Sequence, residues 1–387
     1  MRRSSGRRRV LIVVPNIVEG GVTPANLALA AALRERGIAV EQFTMKTYDP
    51  AVLARGYEDE PLTVGPGRLG HRRAGLPVMA ARLVAAAARA DIVLSGWEVG
   101  EGLVAAFIAG RMTGRIVVGE MHADPIGSLT SILEYDWAPW STIPAVRWIY
   151  PRLDAVVCVA EGLRERAARV GVAPQAVRVI PNGVDIGRVR QLAAEAGADW
   201  LPDGPFVLGV GRLVKQKGFD LLIEAHARIR HAGLPHKLVI AGEGAERDSL
   251  QALAVRHRVS DSVLLPGFLE NPFPVIARSD LFCLPSRYEG APLILREVLA
   301  LGRPVIAADC VSGPAEILEG GRYGDLVKTE SVDALTGSIE RHLRSPASLV
   351  AKGREALDYV CYSIVDAAEQ YARLFNELLT QRRPRES

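Results

Sequence analysis

The stretch Pro-Ser-Arg-Tyr-Glu-Gly-Ala-Pro-Leu-Ile-Leu-Arg-Glu, residues 285–297, carries two carboxylates eight positions apart. A short apolar run before it is typical of a buried strand, and Pro292 and Gly302 mark the start and end of a helix. Glu289 is therefore expected in a loop and Glu297 inside the helix, near free amides and a dipole that favour anions. Spacing alone also allows an acid–base pair. Two acceptor carboxylates around a phosphate-binding helix start suit a ligand with hydroxyls at both ends and a diphosphate between, such as a nucleotide sugar.

Length and charge narrow the class of protein. The chain has 387 residues, enough for two domains of ordinary size, and its 49% hydrophobic content is typical of a globular protein. It has 47 basic and 44 acidic residues, a formal net charge of +3, so the composition gives no indication of nucleic-acid binding. Basic residues are concentrated at both ends, where we expect them to be solvated or to attract anionic lipid by about 1 kcal/mol each.

The chain lacks the sequence pattern of a membrane span or a signal peptide. The apolar run at residues 10–14 stops at Pro15, shorter than the roughly 7–15 apolar residues of a signal peptide, and is predicted to be the first strand. Arg82 and Arg89 interrupt the alanine-rich stretch after Val78, so no run of about 18 apolar residues exists. The four cysteines lack metal-ligand spacing, and we expect a reduced, cytoplasmic protein without a metal.

Short apolar runs alternate with amphipathic stretches along the chain, a pattern that predicts parallel sheets with crossover helices. A turn and a polar connector at residues 181–205 separate two halves of similar size. We therefore predict an α/β fold with two facing, doubly wound domains, one at residues 1–187 and one at 200–360, and a C-terminal segment 361–387 with a helix over 364–379. The predicted strands cover residues 10–14, 39–44, 91–95, 116–120, 155–159, 177–180, 206–210, 237–241, 262–266, 281–284 and 304–308.

Cationic and glycine-containing loops follow the predicted strands of the second half. Arg212 and Lys217 flank one such loop and could hold a diphosphate, although a solvated loop is an equal alternative. Gly242 and Gly244 would let the backbone approach a ligand at the carboxyl edge of the sheet, but a tight turn without a ligand explains them as well or better. The backbone of Gly267 could likewise contact a base edge or form a structural turn.

Other loops are less specific. Gly20-Gly21 follows the first strand without the full dinucleotide-binding fingerprint, and it indicates either close approach to a phosphate or an ordinary loop. His122 directly follows a strand, where it could hydrogen-bond a sugar hydroxyl or a phosphate. The other six histidines are expected at the surface, because charged residues surround them in the sequence. Ser312 and Gly313 offer donors at a helix start, where Glu316 has either a ligand or a dipole role.

In this order, the motifs resemble family 4 of the GT-B glycosyltransferases over nearly the whole chain. The strongest similarity is Pro-Ser-x-x-Glu-Gly-x-Pro within residues 285–297, continued by Ala-Leu-Gly-Arg-Pro at 300–304. Gly-Arg-x4-Lys-Gly at 211–218, Pro-Asn-Gly-Val-Asp at 181–185 and Ser-Gly-Pro-Ala-Glu-Ile at 312–317 support it. The resemblance implies the GT-B fold, with an acceptor-side Rossmann-like domain at residues 1–187 facing a donor-binding one at 200–360. It also implies an active site in the cleft between them and a C-terminal helix, within 361–387, that crosses back onto the first domain.

The resemblance also implies roles for matching positions. Arg212 and Lys217 would hold the donor diphosphate and neutralise the leaving group. Glu297 would bind the ribose, and Glu289 and His122 the donor sugar. The loop at residues 18–24 departs from the usual family sequence, which leaves its contacts open. The implied donor-binding set further comprises Gly20, Gly21, Gly211, Gly242, Gly244, Gly267, Phe268, Gly290, Ala291, Pro292 and Leu293.

The implied reaction is a metal-independent, cofactor-independent transfer of a hexose or N-acetylhexosamine with retention of configuration, from a UDP-sugar in preference to a GDP-sugar. Breaking the glycosidic bond places negative charge on the diphosphate, and fixed cations there lower the barrier selectively. The expected acceptor is a saccharide or a lipid-linked sugar in bacterial polysaccharide assembly, with peripheral contact to the inner face of the plasma membrane. Transfer to a small-molecule natural product, nucleotide-sugar epimerisation and non-catalytic sugar-nucleotide binding are the alternatives.

Two groups of residues in the first half could face the acceptor. Carboxylates and aromatic rings suit a polyol, a sugar or a cationic small molecule, whereas a basic loop suits a lipid-linked phosphate. The first group is Trp97, Glu98, Glu101, Asp124, Glu134, Asp136, Trp137 and Trp140, and the second is Arg68, His71, Arg72, Arg73 and Leu76.

Overall fold

The computed structural model describes residues 8–14, 22–45, 62–64, 75–126, 142–195, 200–310, 312–359 and 362–382. The chain divides into two compact units, the first comprising Met1–Gly183 and Tyr362–Ser387 and the second Val184–Cys361. Within the described residues, each unit contains one parallel sheet with helices.

The strands of both sheets are short and mostly apolar. Among the described residues, the order is β3-β2-β1-β4-β5-β6-β7 in the first unit and β10-β9-β8-β11-β12-β13 in the second, and all pairs are parallel. The strands are β1 Arg9–Val14, β2 Ala39–Thr44, β3 Leu62–Val64, β4 Ile92–Ser95, β5 Ile116–Met121, β6 Ala155–Cys158, β7 Val177–Val179, β8 Phe206–Val210, β9 Lys237–Ala241, β10 Val263–Gly267, β11 Leu281–Leu284, β12 Val305–Ala308 and β13 Asp325–Val327.

Helices connect the parallel strands, as crossover connections require. The described helices are α1 Val22–Glu35, α2 Gly75–Arg89, α3 Gly100–Met112, α4 Thr142–Ile149, α5 Leu163–Arg169, α6 Ile186–Ala193, α7 Phe219–His231, α8 Arg247–Arg256, α9 Phe273–Arg278, α10 Leu293–Ala300, α11 Pro314–Ile317, α12 Val332–Arg344, α13 Ala347–Tyr359 and α14 Ile364–Gln381.

Both faces of each sheet are buried. In β1, Val10 and Ile12 join one core cluster, and Leu11 and Val13 join another on the opposite face. In the second unit, Phe206 and Leu208 of β8 belong to one cluster and Val207 to a second. Burial on both faces explains why these strands are continuous apolar runs instead of alternating patterns.

The final helix, α14, packs on the first unit although it follows the second in sequence. Ser363 and Asp366 form a capping box at its start. Its apolar face, which includes Tyr371 and Phe375, lies in the same core cluster as α1 and alternate residues of β1. A helix from the end of the chain is thus an integral part of the first unit.

The structure differs from the sequence-based expectation at several places. β3 and β13 were not predicted, because each contains only two apolar residues and has no apolar neighbour on either side, whereas the equally short β7 continues into Ile180. The predicted boundary at residue 187 lies inside α6, and Val184 and Val189 pack with Ala300 of the second unit.

The histidine prediction was wrong at two positions, since His226 is 3% and His342 is 5% exposed. Their charged neighbours lie on other faces of the same helices.

Candidate active site

The order of strands reverses between β8 and β11 in the second sheet. Loops at the carboxyl ends of these two strands therefore flank the point where open α/β sheets bind ligands. The loop after β8 contains Arg212 and Lys217, and the loop after β11 contains Glu289. Topology thus brings together residues that are more than seventy positions apart in sequence.

Lys217 and Glu289 form an ion pair at this edge. Lys217 Nζ lies 2.6 Å from Glu289 Oε1, and only 15% of the lysine side chain and 6% of the glutamate side chain are exposed. Ser286 Oγ donates to the same carboxylate oxygen over 2.7 Å. Neither contact uses Oε2. The ammonium group has three donors, so it can bind an anion while it keeps its contact with Glu289.

The two loops are fastened to each other by further hydrogen bonds. Arg287 N donates to Gln216 O over 2.8 Å, and Gln216 Nε2 donates to Tyr288 O over 3.0 Å. The Arg287 guanidinium forms a bidentate pair with Asp220 at 2.9 and 2.8 Å. Beside this frame, Arg212 is exposed, with Nη2 3.5 Å from Gln216 Oε1. The frame fixes the Lys217–Glu289 pair and leaves the Arg212 side chain at the surface.

The glycines of these loops serve contacts between loops. A Cβ on Gly218, which has φ +66°, would collide with the carbonyl oxygen of Pro285. A Cβ on Gly242 would likewise collide with the carbonyl oxygen of Gly211, and one on Gly244 with that of Leu213. Close packing of backbones accounts for these glycines without a ligand. For Gly242 and Gly244 this is the interpretation that the sequence favoured.

The segment after Glu289 is braced by the loop before α11. Ser312 has φ +68°, a left-handed conformation that is strained for a serine, and its Oγ donates to Glu289 O over 3.1 Å. A Cβ on Gly313 would collide with Gly290 O, so the two loops are in close contact. Backbone strain of this kind is typical of sites whose geometry is held for function.

Glu297 lies in the second turn of α10, and Pro292 occupies the cap position of this helix. The Glu297 side chain is partly buried. Burial raises the pKa of this carboxyl to about 7. Gly290 and Pro292 are buried, whereas Ala291 and Leu293 are partly exposed beside the helix start.

The remaining predicted residues of the second unit lie at the end of β10. Gly267 O accepts a hydrogen bond from Gly242 N over 2.8 Å, so this carbonyl is occupied by the neighbouring loop. Phe268 is 40% exposed. In the first unit, the predicted glycines Gly20 and Gly21 lie outside the described residues.

His122 follows β5 of the first unit and is buried at 7% exposure. Its Nε2 lies 3.2 Å from Glu120 Oε2, and its Nδ1 lies 3.5 Å from Asn182 Nδ2. Burial opposes protonation, but the hydrogen bond and charge of Glu120, with a further contribution from Glu98, outweigh it and raise the pKa of His122 above 6.5. Tyr371 of α14 donates a hydrogen bond to Glu120 Oε1.

Sequence reasoning assigned no role to Ser286, Glu120, Asn182 or Tyr371. Ser286 was visible within the opening motif, whereas Asn182 and Tyr371 reach the His122–Glu120 pair from two distant segments of the chain. The acceptor-side expectation also needs a correction, since Glu98 is only 5% exposed and is not a surface carboxylate. Among the other acceptor-side candidates, Glu134, Asp136, Trp137, Trp140, Arg68, His71, Arg72 and Arg73 lie outside the described residues.

The described residues contain no group of three His, Cys, Asp or Glu side chains placed to hold a metal ion. No described helix is both long enough and apolar enough to cross a bilayer.

The chain is similar to known proteins in both sequence and fold. The family model described as Glycosyltransferase Family 4 matches residues 19–188, and the one described as Glycosyl transferases group 1 matches residues 196–358. The lipopolysaccharide core biosynthesis mannosyltransferase LpcC of Rhizobium leguminosarum bv. viciae is 30% identical over 247 residues, which cover 61% of this chain and 68% of that relative. The chain belongs to glycosyltransferase family 4.

A second relative of this family 4 chain comes from Campylobacter jejuni. It is N-acetylgalactosamine-N,N'-diacetylbacillosaminyl-diphospho-undecaprenol 4-alpha-N-acetylgalactosaminyltransferase. It is 32% identical over 196 residues, 50% of this chain and 52% of the relative. The chain spans about half the length of the first curated relatives that it matches. The solved structure of Anabaena HepE with UDP and glucose superposes with a TM-score of 0.76 at 20% identity, over 96% of this chain and 100% of that one. This likeness shows that the family 4 chain has the GT-B fold.

Proposed function

We propose that this chain transfers a sugar from a nucleotide diphosphate sugar to an acceptor hydroxyl, with retention of configuration and without a metal ion. The observation that carries the proposal is the partly buried Lys217–Glu289 pair at the point where the second sheet reverses its strand order. A fixed ammonium group at this edge is suited to a diphosphate, and a carboxylate oxygen beside it is suited to sugar hydroxyls. Family membership supports the same assignment.

The reaction follows from the charges. The bond between the anomeric carbon and the diphosphate oxygen breaks, and negative charge develops on that oxygen. Lys217 and Arg212 stabilise this charge more in the transition state than in the ground state, which lowers the barrier. The acceptor oxygen attacks from the face that the diphosphate leaves, and its proton passes to the departing phosphate. Configuration is then retained without a covalent intermediate on the protein.

The proposed donor is a UDP-hexose or UDP-N-acetylhexosamine in preference to a GDP-sugar. Glu297 would accept the ribose hydroxyls, and Glu289 and His122 the hydroxyls of the sugar. The solved structure of HepE contains UDP and glucose, which supports a uridine donor for a chain of the same fold.

The proposed acceptor is a saccharide or a lipid-linked sugar in bacterial polysaccharide assembly. The names of two relatives, one acting on a diphospho-undecaprenol sugar and one in lipopolysaccharide core biosynthesis, support this class.

A surface of the first unit is suited to lipid, since Met112 is 70%, Trp148 55% and Ile108 50% exposed on α3 and α4. The Arg152 guanidinium stacks 4.5 Å from the Trp148 ring centre, and Arg111 lies next to Phe107. Exposed apolar residues among arginines match an anionic bilayer surface at the cytoplasmic face.

The transfer proposal is tested with purified protein and a panel of UDP-, GDP- and dTDP-sugars, each with and without saccharide and lipid-linked acceptors. We expect a glycosylated product with the anomeric configuration of the donor, seen by proton NMR, and full activity in the presence of EDTA. Conversion of the donor alone to an epimer would contradict transfer. Inversion of configuration or complete loss of activity with EDTA would contradict the mechanism.

Membrane contact has its own test, which does not depend on activity. The protein should co-sediment with phosphatidylcholine vesicles that contain phosphatidylglycerol. Met112→Glu or Trp148→Ser should abolish this co-sedimentation. Val255→Glu is the matched control, because Val255 is 65% exposed on α8 of the second unit. Equal sedimentation of all variants, or none for the wild type, would contradict a lipid-binding role for this surface.

A further inference from the structure

We propose that Glu120, held by Tyr371 of the final helix, is a positioning residue for His122, which keeps the ring proton on Nε2 and leaves Nδ1 as the acceptor for a ligand hydroxyl. The inference rests on the proposed function, in which His122 contacts the donor sugar. Nothing in the sequence pattern of the family motifs points to Glu120 or Tyr371.

The end of β5 brings two buried side chains together. Glu120 lies on β5, which ends at Met121, and His122 directly follows the strand. Their side chains are 2% and 6% exposed, and Nε2 lies 3.2 Å from Oε2. A buried carboxylate accepts hydrogen bonds only, so a neutral His122 must carry its proton on Nε2.

The other carboxylate oxygen of Glu120 is held by the final helix. Tyr371 is 3% exposed and donates its hydroxyl hydrogen bond to Glu120 Oε1. The Tyr371 ring packs against Phe375, with ring centres 5.8 Å apart, on a helix whose start is fixed by the Ser363–Asp366 capping box. The final helix therefore holds the carboxylate that orients His122.

The same helix also fixes the group on the opposite side of the ring. Asn182 Nδ2 lies 3.5 Å from Nδ1, a distance at the upper limit of a hydrogen bond. A Cβ on Gly183 would collide with the backbone of Ile364, so the turn containing Asn182 lies directly on the start of α14. The short contact thus holds Nε2, whereas the long contact at Nδ1 is the one that a sugar hydroxyl can replace.

The charges around the ring favour this arrangement. Glu98 adds negative charge from the loop after β4, and Tyr150 donates to Glu98 O over 2.8 Å. Burial raises the pKa of Cys158 on β6 to about 12, so its thiol is neutral near pH 7. Burial raises the pKa of Tyr371 itself, and its hydroxyl remains a donor. Glu120 is therefore the decisive charge in contact with the ring.

The test is a pH titration of histidine ring nitrogens by long-range ¹H–¹⁵N NMR, with His122→Gln used to assign the His122 signals. In the wild type we expect a neutral ring protonated on Nε2 and a pKa above 6.5. Glu120→Gln removes the charge and leaves burial, so the pKa of His122 should fall below 6.5. Tyr371→Phe removes a donor from the carboxylate, so the pair should bind its proton more tightly and the pKa should move in the opposite direction. Tyr323→Phe, which removes a buried hydroxyl from the second unit, is the control.

The pH dependence of the KM for the donor tests whether the state of the His122 ring affects donor binding. A protonated Nδ1 cannot accept a hydroxyl, so in the wild type KM should rise as pH falls through the pKa of His122, and Glu120→Gln should shift this rise to lower pH. A pKa of His122 that stays above 6.5 in Glu120→Gln, or an Nδ1-protonated neutral ring in the wild type, would overturn the positioning role. If the NMR results hold but His122→Gln transfers sugar normally, the positioning stands and the role of His122 in the proposed function fails.

Discussion

Each unit places a carboxylate beside a basic side chain at the carboxyl edge of its sheet, and the two pairs differ in chemistry. Lys217 and Glu289 lie 2.6 Å apart in the second unit, with the lysine still partly exposed. His122 and Glu120 lie 3.2 Å apart in the first unit, and both side chains are buried. Tyr371 donates a hydrogen bond to the other carboxylate oxygen of Glu120. An ammonium group is charged throughout the physiological range, whereas an imidazole titrates within it. The second unit therefore offers a permanent charge for an anion, and the first offers a hydrogen-bonding group that responds to pH.

The largest effect is expected from removal of the permanent charge. Lys217→Ala should lower kcat/KM for sugar transfer by roughly 10²–10³, the range for loss of one preorganised group that stabilises transition-state charge. Lys215→Ala is the matched control, because Lys215 lies in the same turn, is 67% exposed and pairs with Glu246. Steady-state kinetics should show less than about a twofold change for it. Equal losses in the two variants would remove the distinction between Lys217 and an ordinary surface lysine.

Buried histidines of the second unit should behave opposite to His122. Burial lowers the pKa of His226 to about 4, so between pH 6.5 and 4 the unfolded chain binds more protons than the folded one. The second unit should therefore lose stability as pH falls through this window, by about 3 kcal/mol for a shift of this size. His122, with a raised pKa, instead contributes stability below 6.5 that is lost as pH rises through its folded-state pKa.

Thermal unfolding at pH 7 and pH 5 checks this contrast. His226→Gln should reduce the difference between the two pH values, whereas His231→Gln, at an exposed position on the same helix, should not. An identical pH dependence in His226→Gln and the wild type would show that His226 is not responsible.

The close packing of loops around the Lys217–Glu289 pair gives an intermediate effect. Gly242→Ala places a methyl group against the carbonyl oxygen of Gly211 and should destabilise the second unit by roughly 1–3 kcal/mol. Gly204→Ala, where nothing lies within 4 Å, should change stability by less than about 0.5 kcal/mol. Urea unfolding compares the two variants. Wild-type stability in Gly242→Ala would mean that the loops have room to separate.

The smallest effect concerns Glu297, whose pKa is raised to about 7 by burial. In the proposed site Glu297 accepts the ribose hydroxyls, and its ionised form is the stronger acceptor, so UDP affinity should increase by up to about tenfold from pH 6 to pH 8 as the carboxyl ionises. Use of UDP without a sugar keeps His122 out of the measurement. Glu297→Gln should remove this dependence, and Glu316→Gln, at an exposed position, should keep it. A pH profile that is unchanged in Glu297→Gln would exclude Glu297 as the titrating group.

Much of the fold could be predicted from the sequence because buried parallel strands are continuous apolar runs. β2, β8, β9 and β11 have the predicted bounds, and the ends of several others differ by a residue or two. β3 and β13 were missed because each has only two apolar residues and no apolar neighbour in the sequence. Asp325 at the start of β13 pairs with Lys352 instead of entering a core. Cys158 and Cys283 lie buried within β6 and β11, where they act as small apolar residues.

The candidate site was only partly accessible from the sequence. Loops after strands gave the positions of Lys217, Glu289 and His122, because the carboxyl ends of parallel strands meet at one edge. Which side chains pair at that edge depends on tertiary packing between distant segments. Tyr371 reaches Glu120 across 251 positions of sequence, and no local signal marks such a contact.

The central claim is that the carboxyl edge of the second sheet binds the donor diphosphate through Lys217. Calorimetric titration with UDP and with uridine, on the wild type, Lys217→Ala and Lys215→Ala, tests it most directly. The account predicts that Lys217→Ala weakens UDP binding at least about tenfold, about 1.4 kcal/mol, and leaves uridine binding unchanged, while Lys215→Ala resembles the wild type. Unchanged UDP affinity in Lys217→Ala, or an equal loss for UDP and uridine, would contradict it.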